Sequence, residues 1–321
     1  MEQLPEERHV RIVDVHHHLT PPTLVARAGK RLPPVYAGFT PTQSIDDMAR
    51  AGVDLAITSI PSPGIWFGDI EETRRLAREC NDHAAAQVAD YRGRFGMFAT
   101  LPLPDIDASL REIEYALDVL RADGVHMWTS YGHRWLGDPV FLPIWPELDR
   151  RSAVVFTHPT NMMACLGEFV PDLPLAVIEY GTDTCRTIAS LVFGGVTAQF
   201  PNVRFIFPHA GGTMPYLVER FVYHAQRLDA ERAARLPHGV LAELRKLHFD
   251  VAQSANRHAL SSLMQLVAPS QVLLGTDFPQ RSAHEHRNGL RACGLFSMDD
   301  LVAIEGGNAL RLMPRLGAAS R

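Results

Sequence analysis

The stretch Val13–Pro22, VDVHHHLTPP, sets three histidines directly behind an apolar run and directly before a Pro-Pro break. The run reads as a short strand, and the prolines close it. In an extended segment alternate side chains share a face, so His16 and His18 point one way and His17 the other. A surface patch, a packing feature and a metal site would all fit these residues alone, and the rest of the chain decides between them.

The same layout recurs. Candidate strands lie at Arg11–Val15, Val53–Ile60, Arg94–Leu101, Gly124–Trp128, Ala153–Thr157, Val203–Pro208, Leu247–Asp250 and Gln271–Gly275. Amphipathic helical patterns separate most of them, for example Glu71–Asp90, Asp107–Asp123 and His258–Ala268. Eight strands alternating with helices predict an α/β fold, a single-domain (β/α)8 TIM barrel spanning residues 1–321. A doubly wound sheet is the runner-up, but no G-x-G-x-x-G follows the first strand to support its dinucleotide-binding form. The segments RLPPVYAGFTP and SIPSPG read as loops and not as interdomain linkers.

Composition narrows the function. The 321 residues are 46% hydrophobic and 21% charged, with a net charge of −5, which is ordinary globular chemistry and argues against a nucleic-acid partner. Cys80, Cys165, Cys185 and Cys293 are far apart and form no C-x-x-C pair, so we expect reduced thiols and a cytoplasmic protein. The charged start MEQLPEERHV has no apolar core of a signal peptide, and no segment approaches the roughly 20 apolar residues of a membrane span.

In a TIM barrel the active site gathers at the C-terminal ends of the strands. Here the first strand runs into His16, His17 and His18, the fifth into His158, the sixth into His209 and the eighth into Asp277. Two imidazoles from the H-x-H pair, a third from His158 and the Asp277 carboxylate make an N3O shell suited to one divalent ion, Zn2+ first and Mn2+ second. His209 is then an acid–base group or a substrate contact beside it. His284 and His286 repeat the H-x-H spacing and read as a solvated loop, while His126 reads as barrel lining. His83, His133, His224, His238, His248 and His258 read as surface or helix residues. Tyr131, Trp135 and Phe278, with Trp66 and Phe67, are candidates to wall a substrate ring. The glycines after His209 suggest close backbone approach to a ligand. The fourth strand ends without a lysine that could bridge two metals, so a mononuclear site without organic cofactor is expected.

The stretches DVHHHLTPP, VVFTHPT, FPHAGGTMPYLVER and LLGTDFP together resemble the amidohydrolase-2 branch of the amidohydrolase superfamily, and within it the aminocarboxymuconate-semialdehyde and 6-methylsalicylate decarboxylases. The likeness covers nearly the whole chain and extends to Ala116–Thr160 and to GTDTCRT, Gly181–Thr187. It implies a TIM barrel with one divalent metal, usually zinc, held by His16, His18, His158 and Asp277, with His209 next to the metal-bound water. It also implies that Arg220, eleven positions after His209, reaches a neighbouring subunit's site and grips a substrate carboxylate, so a homodimer or higher homo-oligomer is expected. Arg186 matches a further arginine of the family. The polar run DFPQRSAHEH departs from the apolar stretch that often follows the eighth-strand aspartate. The expected activity is non-oxidative decarboxylation of a small hydroxylated aromatic acid such as 6-methylsalicylate, with Asp277 as the leading proton donor and His209 as the alternative. A mononuclear hydrolase of a lactone, ester or amide is the rival reading.

Overall fold

The computed structural model describes residues 10–160 and 174–318. Eight parallel strands form the barrel wall: β1 (Val13–His18), β2 (Leu55–Ser59), β3 (Phe95–Thr100), β4 (Gly124–Trp128), β5 (Val154–His158), β6 (Arg204–Phe207), β7 (His248–Asp250) and β8 (Val272–Leu273). Each pairs with its sequence neighbour, as βα repeats demand. Val15 N–H donates to the Leu274 carbonyl and His18 N–H to the Phe278 carbonyl, each at 2.9 Å, so β1 meets the chain leaving β8 and the barrel closes. All eight expected strands are present, although β1 runs three residues further, through the histidines.

That extension contains a bulge. Asp14 is registered with Ala56 and His17 with Thr58, so Val15 and His16 both lie opposite the single step taken by Ile57. Val13 and Val15 therefore face the barrel interior, and so do His16 and His18 beyond them. The buried Asp14 carboxylate holds the irregularity: Oδ1 accepts from His16 N–H and Thr276 N–H, and Oδ2 accepts from Thr276 Oγ1.

Helices coat the barrel where capping chemistry starts them. α1 (Pro41–Ala51) begins at a Thr40–Gln43 capping box and ends at Gly52, whose φ of 67° suits glycine. Asp69 caps α2 (Ile70–Asp90), Asp105 caps α3 (Ile106–Glu114) and Asn256 caps α7 (Arg257–Met264). The others that matter here are α4 (Trp145–Arg150), α5 (Glu179–Phe193), α6 (Met214–Ala225) and α8 (Ala283–Ala292). The expected helix Asp107–Asp123 is interrupted: α3 gives way to a wider π turn over Tyr115–Val119.

The barrel interior is an apolar plug of Val13, Val15, Ile57, Phe98, Phe156 and Ile206, sealed at the N-terminal end by Leu312, Met313 and Leu316 from the C-terminal helices. A separate, larger apolar layer lies between strands and helices. Cys80, Cys185 and Cys293 are buried and unpaired; Cys165 lies outside the described residues.

Candidate metal centre and active site

β1, β5 and the turn after β8 deliver His16, His18, His158 and Asp277 to the C-terminal mouth. One donor atom from each lies within 4.8 Å of the other three, and all four residues are buried. Asp277 Oδ1 is 2.9 Å from His18 Nε2, 3.4 Å from His16 Nε2 and 4.0 Å from His158 Nε2. The Nδ1 atoms turn outward. His16 Nδ1 donates to Asp250 Oδ2 at 2.8 Å, His18 Nδ1 to the Ser59 carbonyl at 3.3 Å and His158 Nδ1 to the Pro159 carbonyl at 2.7 Å. That leaves every Nε2 directed at one point. Nε2 of His16, His158 and His209 is buried without a hydrogen-bond partner, a costly state that a cation at the shared point relieves. The donor set fits one divalent ion.

His17, between the two ligands, points the other way. Its Nδ1 pairs with Asp14 Oδ2 at 2.9 Å and its Nε2 with Ser44 Oγ of α1 at 2.7 Å, and its ring stacks on Phe278 at 4.8 Å. Both nitrogens are consumed by structure. His209 opens the turn after β6 with φ 57°; its N–H donates to Asp250 Oδ1 at 3.0 Å, and its Nε2 lies 3.9 Å from Asp277 Oδ2. Asp250 thus orients both His16 and His209. Sequence reading passed over it, although an aspartate ends the seventh strand as one follows the eighth.

Charge in the site follows from burial and pairing. Burial disfavours the His16 imidazolium, but Asp250 and Asp277 outweigh it and raise its pKa to about 10, so the metal-free site stores a proton there. His158 is held far below its ordinary value by burial and then by His18 and His16, and His18 is lowered by burial. Burial would raise Asp277, yet the imidazoles of His16, His18 and His209 close beside it hold it well below the usual carboxylate range. The resting carboxylate is ionised.

A family profile described as Amidohydrolase matches residues 13–315. The chain belongs to the amidohydrolase family. Among relatives of this amidohydrolase, 6-methylsalicylic acid decarboxylase of Penicillium expansum is 35% identical over 322 residues, covering 95% of this chain and 96% of the relative. A solved amidohydrolase II is 28% identical with a TM-score of 0.87, covering 94% of this chain and 99% of that one. A dihydroxybenzoic acid decarboxylase of Polaromonas sp. JS666, solved with bound manganese and 2-nitroresorcinol, shares the fold at a TM-score of 0.83 and 18% identity, over 95% and 97% of the two chains.

Above the metal centre this amidohydrolase opens a cavity of about 980 Å3. Among the described residues, Tyr36, Tyr180, His158, His209, Gln253 and Asp277 form its inner wall, and Arg281 is its single arginine or lysine. Tyr36 stands edge-on to His18 at 5.5 Å and Tyr180 edge-on to His158 at 6.2 Å. Burial pushes both phenols up, keeping them neutral donors. No sequence pattern singled out either tyrosine, because both sit on loop-proximal helical turns and not at strand ends.

Several expected pocket residues lie elsewhere. Tyr131 accepts the Trp128 N–H on its hydroxyl and packs against Phe141, and Trp135 Nε1 donates to Asp183 Oδ1 at 2.6 Å, so both brace the wall behind β4 and do not line this cavity. Phe278 is spent on His17 and Phe39. Phe67 lies under Arg27 at 4.4 Å, and neither it nor Trp66 lines the cavity. Arg186 pairs with Glu179 at 3.6 Å on α5, and Arg220 is exposed on α6; neither lines the cavity within one chain. Of the glycines after His209, Gly212 does line the cavity, and it also packs on backbone: a Cβ there would fall 2.0 Å from the Gly181 carbonyl oxygen at the start of α5. His284 and His286 are not in a loop, because Ser282 caps a helix there; His284 is exposed and His286 is buried. His248 is in β7 itself and largely buried, and His258 lines the cavity mouth. His126 is buried barrel lining, edge-on to Trp128.

Proposed function

We propose that this amidohydrolase is a carboxy-lyase that removes CO2 without redox chemistry from a small hydroxylated aromatic acid, 6-methylsalicylate or a related 2-hydroxybenzoate, and releases a phenol. The observation that carries the reading is the union, at the foot of one cavity, of an N3O donor set with an acid–base pair, Asp277 and His209. The 35% identity to a 6-methylsalicylic acid decarboxylase along the full chain supports the substrate class. His16, His18, His158 and Asp277 would hold one divalent ion, Zn2+ or Mn2+, which when bound supplies a Lewis acid toward the substrate's carboxylate and ortho oxygen. The nitrogen-rich shell favours zinc, and the manganese of the Polaromonas relative keeps the second ion in view.

The protein's own groups handle the proton. Asp277 rests ionised, so it can take the proton released when the substrate's ortho hydroxyl binds, with His209 Nε2 in position to share it. Asp277 then returns that proton to the ring carbon bearing the carboxylate. That carbon becomes tetrahedral, its bond to the carboxyl carbon breaks, the electron pair restores the aromatic ring and CO2 departs. The phenolate product regains a proton from water. Tyr36 and Tyr180 flank the ring and offer neutral hydroxyls. The proposal includes a homodimer in which Arg220, exposed on its own chain, serves the cavity of the second subunit.

The test is CO2 release with mass spectrometry of products, on a panel of hydroxybenzoates and aminocarboxymuconate-type acids, using protein loaded with Zn2+ or Mn2+. We expect a phenol from the 2-hydroxybenzoates and a loss of at least about a thousandfold in His158→Ala, together with its metal. Bound metal with no CO2 from any acid, and turnover of a lactone or ester instead, would overturn the decarboxylase reading in favour of a hydrolase.

A further inference from the structure

The two oxygens of Asp277 have separate surroundings. Oδ1 faces the three ligand imidazoles, whereas Oδ2 accepts a hydrogen bond from Gln253 Nε2 at 3.0 Å. Gln253 follows β7, and its backbone is left-handed at φ 55°, a conformation that residues other than glycine keep only where their surroundings hold it. What holds it is a histidine remote from the metal. Gln253 N–H donates to His286 Nε2 at 2.9 Å, and His286 Nδ1 donates to the Ser282 carbonyl at 2.9 Å. The second bond sets the tautomer: Nδ1 carries the hydrogen, so Nε2 has the lone pair that Gln253 needs. His286 is 1% exposed, and its partner in the H-x-H pair, His284, faces solvent and contacts Asn288 at 2.7 Å. The same spacing that aims two histidines at one point on a strand splits them to opposite sides of a helix.

We propose that Gln253 is a positioning residue that fixes the rotation of the Asp277 carboxylate, one oxygen toward the metal centre and one toward His209, and that His286 fixes Gln253 in turn. This rests on the metal-centre reading given above. The chain from α8 through His286 and Gln253 to Asp277 gives the second H-x-H motif a task at the active site without any contact with the ion. Freed from Gln253, the carboxylate can turn about its last torsion and present its oxygens unevenly to the imidazoles.

The decisive variant is Gln253→Gly, because glycine adopts φ 55° without strain and removes only the amide arm. Metal-free protein is titrated with Zn2+ and with Mn2+ against a competing chelator, its Tm is measured, and kcat and KM are determined for the best acid of the panel. We expect metal affinity to fall about tenfold to a hundredfold, kcat to fall at least about tenfold with KM changed less than about twofold, and the metal-free Tm to stay within about 2 °C of the parent. Gln253→Glu, which keeps the shape but trades the donor for an acceptor, must show the same loss. His286→Leu must weaken metal binding, and His286→Gln, which restores an acceptor, must recover part of it.

Metal affinity and kcat both within about twofold of the parent in Gln253→Gly would overturn the proposal. A raised KM with unchanged kcat and metal affinity would also overturn it, since Gln253 would then be a substrate contact. Weakened metal binding in a protein whose parent releases no CO2 would support the positioning role while sinking the decarboxylase reading. A parent that binds neither ion would overturn the metal centre and this role together.

Discussion

The two ends of the barrel treat their polar and charged groups in opposite ways. At the N-terminal end, arginines are spent on backbone. Arg204 donates Nη1 to the Leu312 carbonyl at 2.6 Å and Nε to Ser152 at 3.1 Å; Arg11 donates to Leu316 at 2.8 Å; Arg315 donates to Arg121 at 2.6 Å and Ala122 at 3.4 Å; and Arg94 donates to Asp54 at 3.1 Å. The bonds to Leu312 and Leu316 and those from Arg315 tie the C-terminal helices over the barrel floor. At the C-terminal end, the buried Nε2 atoms of His16, His158 and His209 are left without partners around one point. Charge whose hydrogen bonds are consumed locally holds a fold together, whereas buried polar atoms left open mark where a ligand completes the structure.

This contrast can be broken in three ways. The largest effect is expected at the open end. With His16 raised to about 10 by Asp250 and Asp277 against its burial, the metal-free site holds a proton that the ion must displace. Affinity should therefore weaken by about tenfold per unit as pH falls, or roughly a hundredfold from pH 8 to pH 6. Chelator competition at those pH values, with calorimetric counting of released protons, checks this; an affinity that does not change with pH would break it.

The floor predicts a smaller dependence on stability. His248, at the N-terminal end of β7, is lowered to about 4 by burial, opposed only in part by its hydrogen bond with Phe205 and lowered further by Arg204 and Arg311. It stays neutral in the fold while the unfolded chain takes up a proton below about 6.5. Its contribution is intact above that pH, declines as pH falls and is gone below about 4. Between pH 7 and pH 5 the metal-free protein should lose about 2 kcal/mol through this group alone. Urea unfolding of the parent and of His248→Gln at both pH values measures the difference, and equal losses in the two would refute it. Smallest is Arg204→Met, which keeps the stem but leaves the Ser152 and Leu312 carbonyls unpaired: about 1–2 kcal/mol of stability, with metal affinity and kcat unchanged. A change in metal affinity there would show that floor and mouth are coupled.

Much of this was legible in the residues, for identifiable reasons. Apolar runs ending in His158, His209 and near Asp277 located both the strands and the mouth, because a barrel sends every strand end to the same place. His16 and His18 could be separated from His17 by the two-residue period of a strand. The period misled at His284 and His286, where the Ser282 cap makes a helix and the two diverge. Asp250, Gln253, Tyr36 and Tyr180 escaped because their roles depend on contacts between distant segments. Tyr131 and Trp135, candidates near the fourth strand, stand outside the cavity for a related reason: their polar ends already have partners in the wall.

The extra residue in β1 acts as a frameshift. A strand is read two residues at a time, odd positions to one side and even to the other, and a strictly regular β1 that kept Val13 and Val15 inside would turn His17 inward and His16 and His18 out. The bulge between Asp14 and His17 shifts the reading by one, so one six-residue segment spells barrel core in its first half and metal ligands in its second. Deleting Val15 would remove the bulge and restore strict alternation with His16 and His18 still inward, at the expense of one valine of the barrel core.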